Sequence, residues 1–173
     1  MRPSDSIRNV FQARGTNIGE NGTVKRAVLG AQKRGIIFDA CNGSNHFAVD
    51  VAVPARAGGF CPDVSSTDLT VKTLGRSPVA ALPYILSKYI ALGCELPRII
   101  NAATAVPAKL MGLEGKIGTL APGAFGDVAV FQLRARPVTF ADTFTKTVQG
   151  NAMLVPVLTV SEGQMLYRSL DFI

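Results

Sequence analysis

Apolar and polar positions along the first 70 residues follow the order expected of parallel β/α units. Short apolar runs predict three strands, at 5–11, 36–38 and 62–68. Between them, the pattern predicts helices at 23–34 and 48–57, which end at Gly35 and at Gly58-Gly59. A strand, helix, strand, helix, strand order with this spacing is typical of a parallel sheet.

The pattern then predicts a series of helices. One begins near Pro83, because apolar residues recur on one face at Leu82, Ile85, Leu86, Tyr89 and Ile90. Gly93 closes that helix, and Pro97 opens another that runs toward residue 103. Thr104 is placed to cap a short third helix that holds Pro107 in its first turn and stops at Gly112.

The sequence pattern of the last third of the chain predicts turns and strands. Ala121-Pro122-Gly123 suits a type II turn, and residues 128–133 read as a buried strand. Further short strands are predicted at 137–140, 148–150, 155–160 and 165–168. The last two flank Ser161-Glu162-Gly163-Gln164, whose turn chemistry predicts a hairpin.

Composition narrows the class of protein. The 173 residues are 47% hydrophobic and 17% charged, with a mean hydropathy of +0.26, which is ample for a buried core. No run reaches the roughly 18 apolar residues of a membrane span, and the start lacks a signal peptide's apolar core, so we expect no membrane contact and a cytoplasmic location. The net charge of +6 is scattered, with its densest pairs, Lys25-Arg26 and Lys33-Arg34, on one predicted helix. This favours a solvated helix face over a nucleic-acid surface.

Parallel β/α units place functional residues at the carboxyl ends of their strands. Asp68 is the main candidate there, because a carboxylate can bind a divalent metal and take a proton from a metal-bound water. The alternative is that Asp68 caps the turn that follows it. His46, the one histidine of the sequence, could assist Asp68 or be an ordinary loop residue.

The three cysteines lack metal-type spacing. We interpret Cys41, Cys61 and Cys94 as reduced thiols of an intracellular protein. Cys41 and Cys61 lie near predicted strand ends and could supply thiolate ligands, but their sequence neighbours offer no base or cation, which favours buried, inert cysteines.

A family resemblance is carried by residues 101–133. The segments Asn-Ala-Ala-Thr, Pro-Ala-Lys, Met-Gly-Leu, Gly-Thr-Leu-Ala-Pro-Gly and Gly-Asp-Val-Ala-Val-Phe occur there in the order found at the C-terminus of the amidohydrolase superfamily. Gly126 departs from the alanine usual before Asp127. Upstream, Gly35-Ile36-Ile37-Phe38-Asp39, Asn42-Gly43 and Ser65-Ser66-Thr67-Asp68-Leu69 resemble its deacetylase and dihydroorotase-like branch.

The resemblance implies an α/β fold that is only part of the family's structure. A whole (β/α) TIM-type barrel takes about 250 residues, more than this chain has. We therefore expect the last three β/α units of such a barrel in residues 1–112, followed by part of a small β-sandwich in residues 113–173.

The resemblance also implies a reaction: hydrolysis of an amide or acyl ester bond of a small molecule by a water activated by one or two divalent metals, usually zinc. Asp68 matches a metal ligand, but Asn9 and Asn42 stand where the family has histidines, and Thr70 stands where histidine is common. The remaining ligands would lie upstream of Met1. Since zinc needs three or four converging ligands, we expect no metal bound by this chain and no activity of the isolated chain.

An alternative stays open. The chain could be a non-catalytic interaction or regulatory module that pairs with a full-length relative or with itself. Its support is that residues 5–11 would form an open barrel edge, and unpaired edges seek partners.

Overall fold

The computed structural model describes residues 5–14, 19–20 and 23–172. The helices of this part of the chain are α1 (Arg26–Lys33), α2 (Val49–Ala57), α3 (Leu82–Ala91), α4 (Leu96–Ala103) and α5 (Ala105–Leu110). Its strands are β1 (Ser6–Ile7), β2 (Gly19–Glu20), β3 (Thr23–Val24), β4 (Ile37–Phe38), β5 (Val128–Ala141), β6 (Thr147–Ser161) and β7 (Gln164–Arg168).

The first half of the chain forms parallel pairs in the predicted order. β1 pairs with β4, and Asp39, directly after β4, forms a parallel bridge with Val64. Beyond the bridge, the Asn42 N–H donates to the Ser66 carbonyl at 3.1 Å. All three predicted strand regions therefore run side by side, although the third is an extended segment with one bridge.

The first helix begins later than predicted. The helix expected at 23–34 starts at Arg26, because Thr23–Val24 pairs with Gly19–Glu20 as a small antiparallel ladder. The predicted C-terminal stop is confirmed: Gly35 follows the helix with a φ of 87°. Residues 15–18 and 21–22, between the first predicted strand and this helix, lie outside the described residues.

Aromatic rings fill the core beneath the parallel segments. Phe11 lies with ring centroids 5.9 Å from Phe47 and 6.0 Å from both Phe60 and Tyr89. The same buried cluster continues into β5 and β6 through Phe140, Val148 and Leu154. One core thus spans both sides of the boundary predicted at 112/113, and that division into two domains remains a prediction.

The last third forms a single antiparallel sheet in the order β5-β6-β7. The predicted hairpin is confirmed: Glu162 and Gly163 have φ values of 51° and 77° at the β6–β7 turn, as a type I′ turn requires. The sheet packs on α3, where the Leu154 N–H donates to the Ser87 Oγ at 2.8 Å.

Two local predictions were wrong. Residues 128–133 lie in β5, but none is buried and Leu133 is 49% exposed, because it is the far end of β5, at Phe140, that enters the core. Thr104 precedes α5, yet its side chain makes no cap. Its hydroxyl instead donates to the Ile100 carbonyl of α4 at 2.7 Å, because α4 ends where α5 begins.

None of the described helices combines the length and apolar character that crossing a membrane requires.

Candidate functional site

The carboxyl ends of the three parallel segments share an unusual backbone conformation. Asn9, Cys41 and Asp68 have φ values of 57°, 40° and 51°, in the left-handed region that non-glycine residues seldom adopt. Such residues cluster at functional sites, where the surrounding structure holds them in place. Because parallel strands end at one edge of a sheet, this edge is the place to look for chemistry.

Asp68 and His46 meet at this edge. The Asp68 Oδ2 lies 3.0 Å from the His46 Nδ1, and both side chains are partly exposed, at 40% and 37%. Gly43 makes this contact possible. A Cβ at that position would lie 2.7 Å from the His46 Nδ1 and closer still to the Asp68 Oδ2. The structure therefore unites two candidates that are far apart in the sequence.

Asn42 belongs to the architecture of the edge. Its side chain is fully buried, its Nδ2 donates to the Ser66 carbonyl at 3.2 Å, and its Oδ1 accepts from the Tyr89 hydroxyl at 3.2 Å. Burial raises the pKa of Tyr89 well above its usual value, which keeps the phenol protonated as a donor. Both ends of the Asn42 amide are thus used in tying the edge to the core.

Asn9 differs from Asn42. Its Oδ1 is buried and has no hydrogen-bond donor within the described part of the chain. A buried acceptor without a hydrogen bond destabilises the folded state, and such groups are uncommon in native structures. Asn9 therefore has a buried side-chain oxygen that is available to a ligand.

The remaining strand-end residues serve structural roles. The Ser66 Oγ donates to the Asp39 carboxylate, at 2.7 and 2.8 Å from its two oxygens. Thr70 closes a turn with Thr73, whose hydroxyl accepts from the Thr70 N–H at 3.0 Å. Burial and the charges of Asp39 and Asp68 raise the pKa of Cys41, although a hydrogen bond with Ser66 partly opposes this shift. This supports the prediction that Cys41 is an inert thiol.

These donors do not fit a metal centre. Within residues 5–14, 19–20 and 23–172, no group of three or more His, Cys, Asp or Glu side chains is placed to hold a metal ion. Asp68 and His46 together provide two donor side chains, whereas zinc needs three or four. The described residues therefore do not form a complete zinc site.

Sequence reasoning missed the part played by Gly43. Its Asn-Gly pair and its position in a polar loop indicate a turn, but nothing in the local pattern indicates that it makes room for residues 46 and 68. The contact depends on the parallel pairing of two segments separated by α2, which no short-range pattern encodes.

Comparison with known proteins finds similarity to amidohydrolases. The sequence pattern of the Amidohydrolase family matches residues 92–167. A deacetylase from Enterococcus faecalis (strain ATCC 700802 / V583) is 28% identical over 167 residues, which are 95% of this chain and 45% of the deacetylase. The chain is therefore similar, over residues 92–167 and more weakly over most of its length, to proteins of the amidohydrolase superfamily.

Two solved structures resemble the chain over nearly its whole length. The crystal structure of an adenine deaminase superimposes with a TM-score of 0.89 at 26% identity, over 98% of this chain and 46% of the deaminase. A dihydroorotase superimposes with a TM-score of 0.78 at 24% identity, over 98% and 44% of the two chains, a likeness that concerns the fold. The chain thus spans less than half the length of these relatives.

Substituting Gly43 tests whether it creates the Asp68–His46 contact. We expect Gly43→Ala to separate the two side chains and to lower the free energy of unfolding by about 2 kcal/mol, because the new methyl group meets both of them at a positive φ. Since His46 is the one histidine in the sequence, its imidazole ¹⁵N signals report the loss of the contact directly.

Gly59→Ala is the matched control. Gly59 has a φ of 86° with no atom near the added Cβ, so this variant carries the backbone strain without the collision. We expect a smaller loss of stability, about 1 kcal/mol, and unchanged His46 signals. Equal His46 spectra in the two variants would mean that Gly43 does not set the contact.

Proposed function

We propose that this chain contributes the Asp68–His46 pair to a hydrolase of the amidohydrolase superfamily, one that acts on C–N amide or acyl ester bonds of small molecules. The observation that carries the proposal is the 3.0 Å contact between the Asp68 Oδ2 and the His46 Nδ1 at the carboxyl edge of parallel strands. It occurs in a chain that aligns over 95% of its length with a deacetylase.

The chemistry follows from the donor and acceptor properties of the pair. With its proton on Nδ1, His46 donates to Asp68 and holds the carboxylate in one orientation. The partly exposed carboxylate then accepts a proton from a water that attacks the acyl carbon, and passes it to the leaving nitrogen or oxygen. In this reaction Asp68 is the catalytic base and His46 its positioning residue.

The finer architecture is also a proposal. We infer that residues 1–112 are β/α units of a TIM-type barrel and that residues 113–173 belong to a small β-sandwich. The parallel order of β1, β4 and the segment at Val64 supports the first part, as does the 0.89 TM-score with the adenine deaminase. The antiparallel sheet β5-β6-β7 supports the second.

We further propose that this chain neither completes a metal site nor turns over substrate by itself. The superfamily chemistry uses zinc or another divalent metal, yet both ends of the Asn42 amide are occupied by Ser66 and Tyr89. Asn9 offers a neutral amide oxygen in place of an imidazole nitrogen, and this oxygen is a poorer ligand for zinc.

A second candidate is a non-catalytic module that pairs with a full-length relative or with a second copy. The observation in its favour is that, among the described residues, β1 pairs with β4 on one side and with no strand on the other. An available strand edge is a template for pairing with another chain.

The test compares the parent chain with three variants in two measurements. The first is the zinc that remains bound after dialysis, determined by mass spectrometry, and the second is the rate of hydrolysis of N-acetyl amino acids and aryl esters. We expect the parent to bind far less than one zinc per chain and to show no turnover, with Asn9→His raising the zinc content and Asp68→Ala removing the gain. Asp50→Ala, at an exposed carboxylate of α2, is the control and behaves as the parent.

Two results would change the proposal. Stoichiometric zinc in the parent, lost in Asp68→Ala, would contradict the incomplete site while supporting the role of Asp68. No zinc in Asn9→His, together with self-association or capture of a longer relative by the parent, would favour the non-catalytic module.

A further inference from the structure

Cys61 and Cys94 line one buried cavity. Cys61 follows α2 and Cys94 lies between α3 and α4, and both are almost fully buried, with exposures of 5% and 7%. They line the same cavity of about 10 Å³, which is at the lower limit for one water molecule. The rest of its lining is Pro62, Ser65, Tyr89, Arg98, Ile99 and Ala102.

Two arginines fix the segments that carry these cysteines. The Arg56 Nη2, from α2, donates at 2.7 Å to the carbonyl of Gly93, next to Cys94. The Arg98 Nη2, from α4, donates at 3.1 Å to the carbonyl of Cys61. The arginine near Cys61 in the chain thus binds the segment of Cys94, and the arginine near Cys94 binds the segment of Cys61. These two hydrogen bonds hold the segments together.

The two thiols differ in acidity. The interaction with the Cys94 thiol lowers the pKa of Cys61 against the effect of burial, and the charges of Arg56 and Arg98 lower the pKa of both thiols. The same interaction raises the pKa of Cys94, and burial adds to this. The Arg56 Nε is buried without an acceptor among the described residues, which leaves an unmatched cationic N–H beside the pair.

The prediction that Cys61 is buried is confirmed, whereas its predicted inertness rested on its sequence neighbours alone. The sequence neighbours of Cys61 contain no cation, but the fold brings Arg56, Arg98 and a second thiol to it. Two buried cysteines that line one cavity beside two arginines have the parts of a redox pair: one sulfur reacts first and the other resolves the product.

We propose that Cys61 and Cys94 form a reversible redox pair that a small hydroperoxide, such as hydrogen peroxide, converts to a disulfide. The Cys61 sulfur attacks one peroxide oxygen, the O–O bond breaks, and a sulfenic acid and hydroxide form, so that sulfur is oxidised and peroxide reduced. The Cys94 sulfur then attacks the sulfenic sulfur, the S–O bond breaks, the S–S bond forms, and the thiol proton leaves with hydroxide as water. The inference does not depend on the proposed hydrolase function.

The narrow cavity sets the choice of oxidant. A space close to the size of one water admits a hydroperoxide on small local motions but excludes bulky disulfide reagents. In the native chain we therefore expect hydrogen peroxide to oxidise the pair, while an aromatic disulfide reagent modifies it only after denaturation.

The test uses Cys41→Ser, which removes the third thiol and keeps the pair. Treatment with hydrogen peroxide is expected to lower the intact mass by about 2 Da, the two thiol hydrogens, and dithiothreitol is expected to restore it. Non-reducing peptide mapping of the unsubstituted chain then finds Cys61 linked to Cys94. Arg98→Met is expected to slow the reaction several-fold because it removes a charge that favours the thiolate, whereas Arg76→Met, at an exposed arginine, leaves the rate unchanged.

The proposal is overturned by any of three results. The first is an unchanged mass of the folded chain after prolonged peroxide treatment. The second is oxygen addition to Cys61 or Cys94 with no link between them. The third is a link that involves Cys41 or joins two chains. None of these readouts involves metal content or hydrolysis, so a failure here is distinct from a failure of the proposed hydrolase.

Discussion

Lys88→Met is expected to raise the free energy of unfolding at neutral pH, by an amount that shrinks as the pH increases toward 10. Lys88 is fully buried in α3, its Nζ lies 3.7 Å from the centroid of the Phe47 ring, and its hydrogen-bond acceptor is the Pro78 carbonyl at 3.5 Å. Burial lowers its pKa to about 7, although the charge of Asp142 opposes the shift. Methionine fills a similar volume without a charge to desolvate.

The sign of the pH dependence follows from proton counts. The unfolded chain holds the Lys88 proton up to about pH 10.4, whereas the folded chain releases it near pH 7. Between these values the unfolded state binds more protons, so the stability of the parent rises with pH across that interval. A difference of about three pKa units corresponds to a rise of roughly 4 kcal/mol.

Urea unfolding of the parent and Lys88→Met between pH 6 and 10 checks this prediction, because the other titrating groups are present in both proteins and cancel in the difference. Lys72→Met, at an exposed lysine, should reproduce the parent profile. A difference between parent and Lys88→Met that stays constant over this pH range would contradict the assignment of the titration to Lys88.

Asp142→Ala is expected to lower the free energy of unfolding by about 3 kcal/mol. The buried carboxylate accepts three backbone hydrogen bonds, from Val49 at 2.9 Å, Phe144 at 2.8 Å and Lys146 at 2.9 Å. It thereby caps the first turn of α2 and closes the turn between β5 and β6. Alanine would leave the Val49 N–H buried without a partner.

Equilibrium unfolding at pH 7 measures this effect, with Asp171→Ala as the control. Asp171 forms an exposed ion pair with Arg134, so its loss should cost less than about 1 kcal/mol. Asp142→Asn keeps the shape of the side chain but has only one acceptor oxygen. We therefore expect an intermediate loss of stability. If Asp142→Ala and Asp171→Ala had equal effects, the cap would contribute little to stability.

Lys88 and Asp142 also illustrate what a sequence pattern leaves undetermined. Lys88 is not part of the apolar face predicted for its helix, Asp142 lies outside the predicted strands, and charged residues in such positions are mostly exposed. They are buried because α3 packs on the β5-β6 sheet and α2 begins beside the β5–β6 turn. The partners that satisfy them are distant in the chain.

Local features of the fold follow from the amino-acid sequence without further information. Helix ends at Gly35 and Gly93 and the hairpin turn at Glu162-Gly163 depend on backbone angles that glycine permits and on apolar periodicity within a few residues. The sequence also indicates the parallel order of the first half and, through segments between 101 and 133, the resemblance to the amidohydrolase superfamily. These features depend on neighbours in the chain.

The candidate site and the state of the cysteines depend on tertiary structure. The sequence indicated Asp68 as the main candidate, but the fold brought it to His46, joined the Asn42 amide to Tyr89, and placed Cys61 and Cys94 in the lining of one cavity. Each of these contacts joins residues whose segments lie on different β/α units. No local pattern records them, because they exist only when the parallel strands are aligned and the helices are packed on the core.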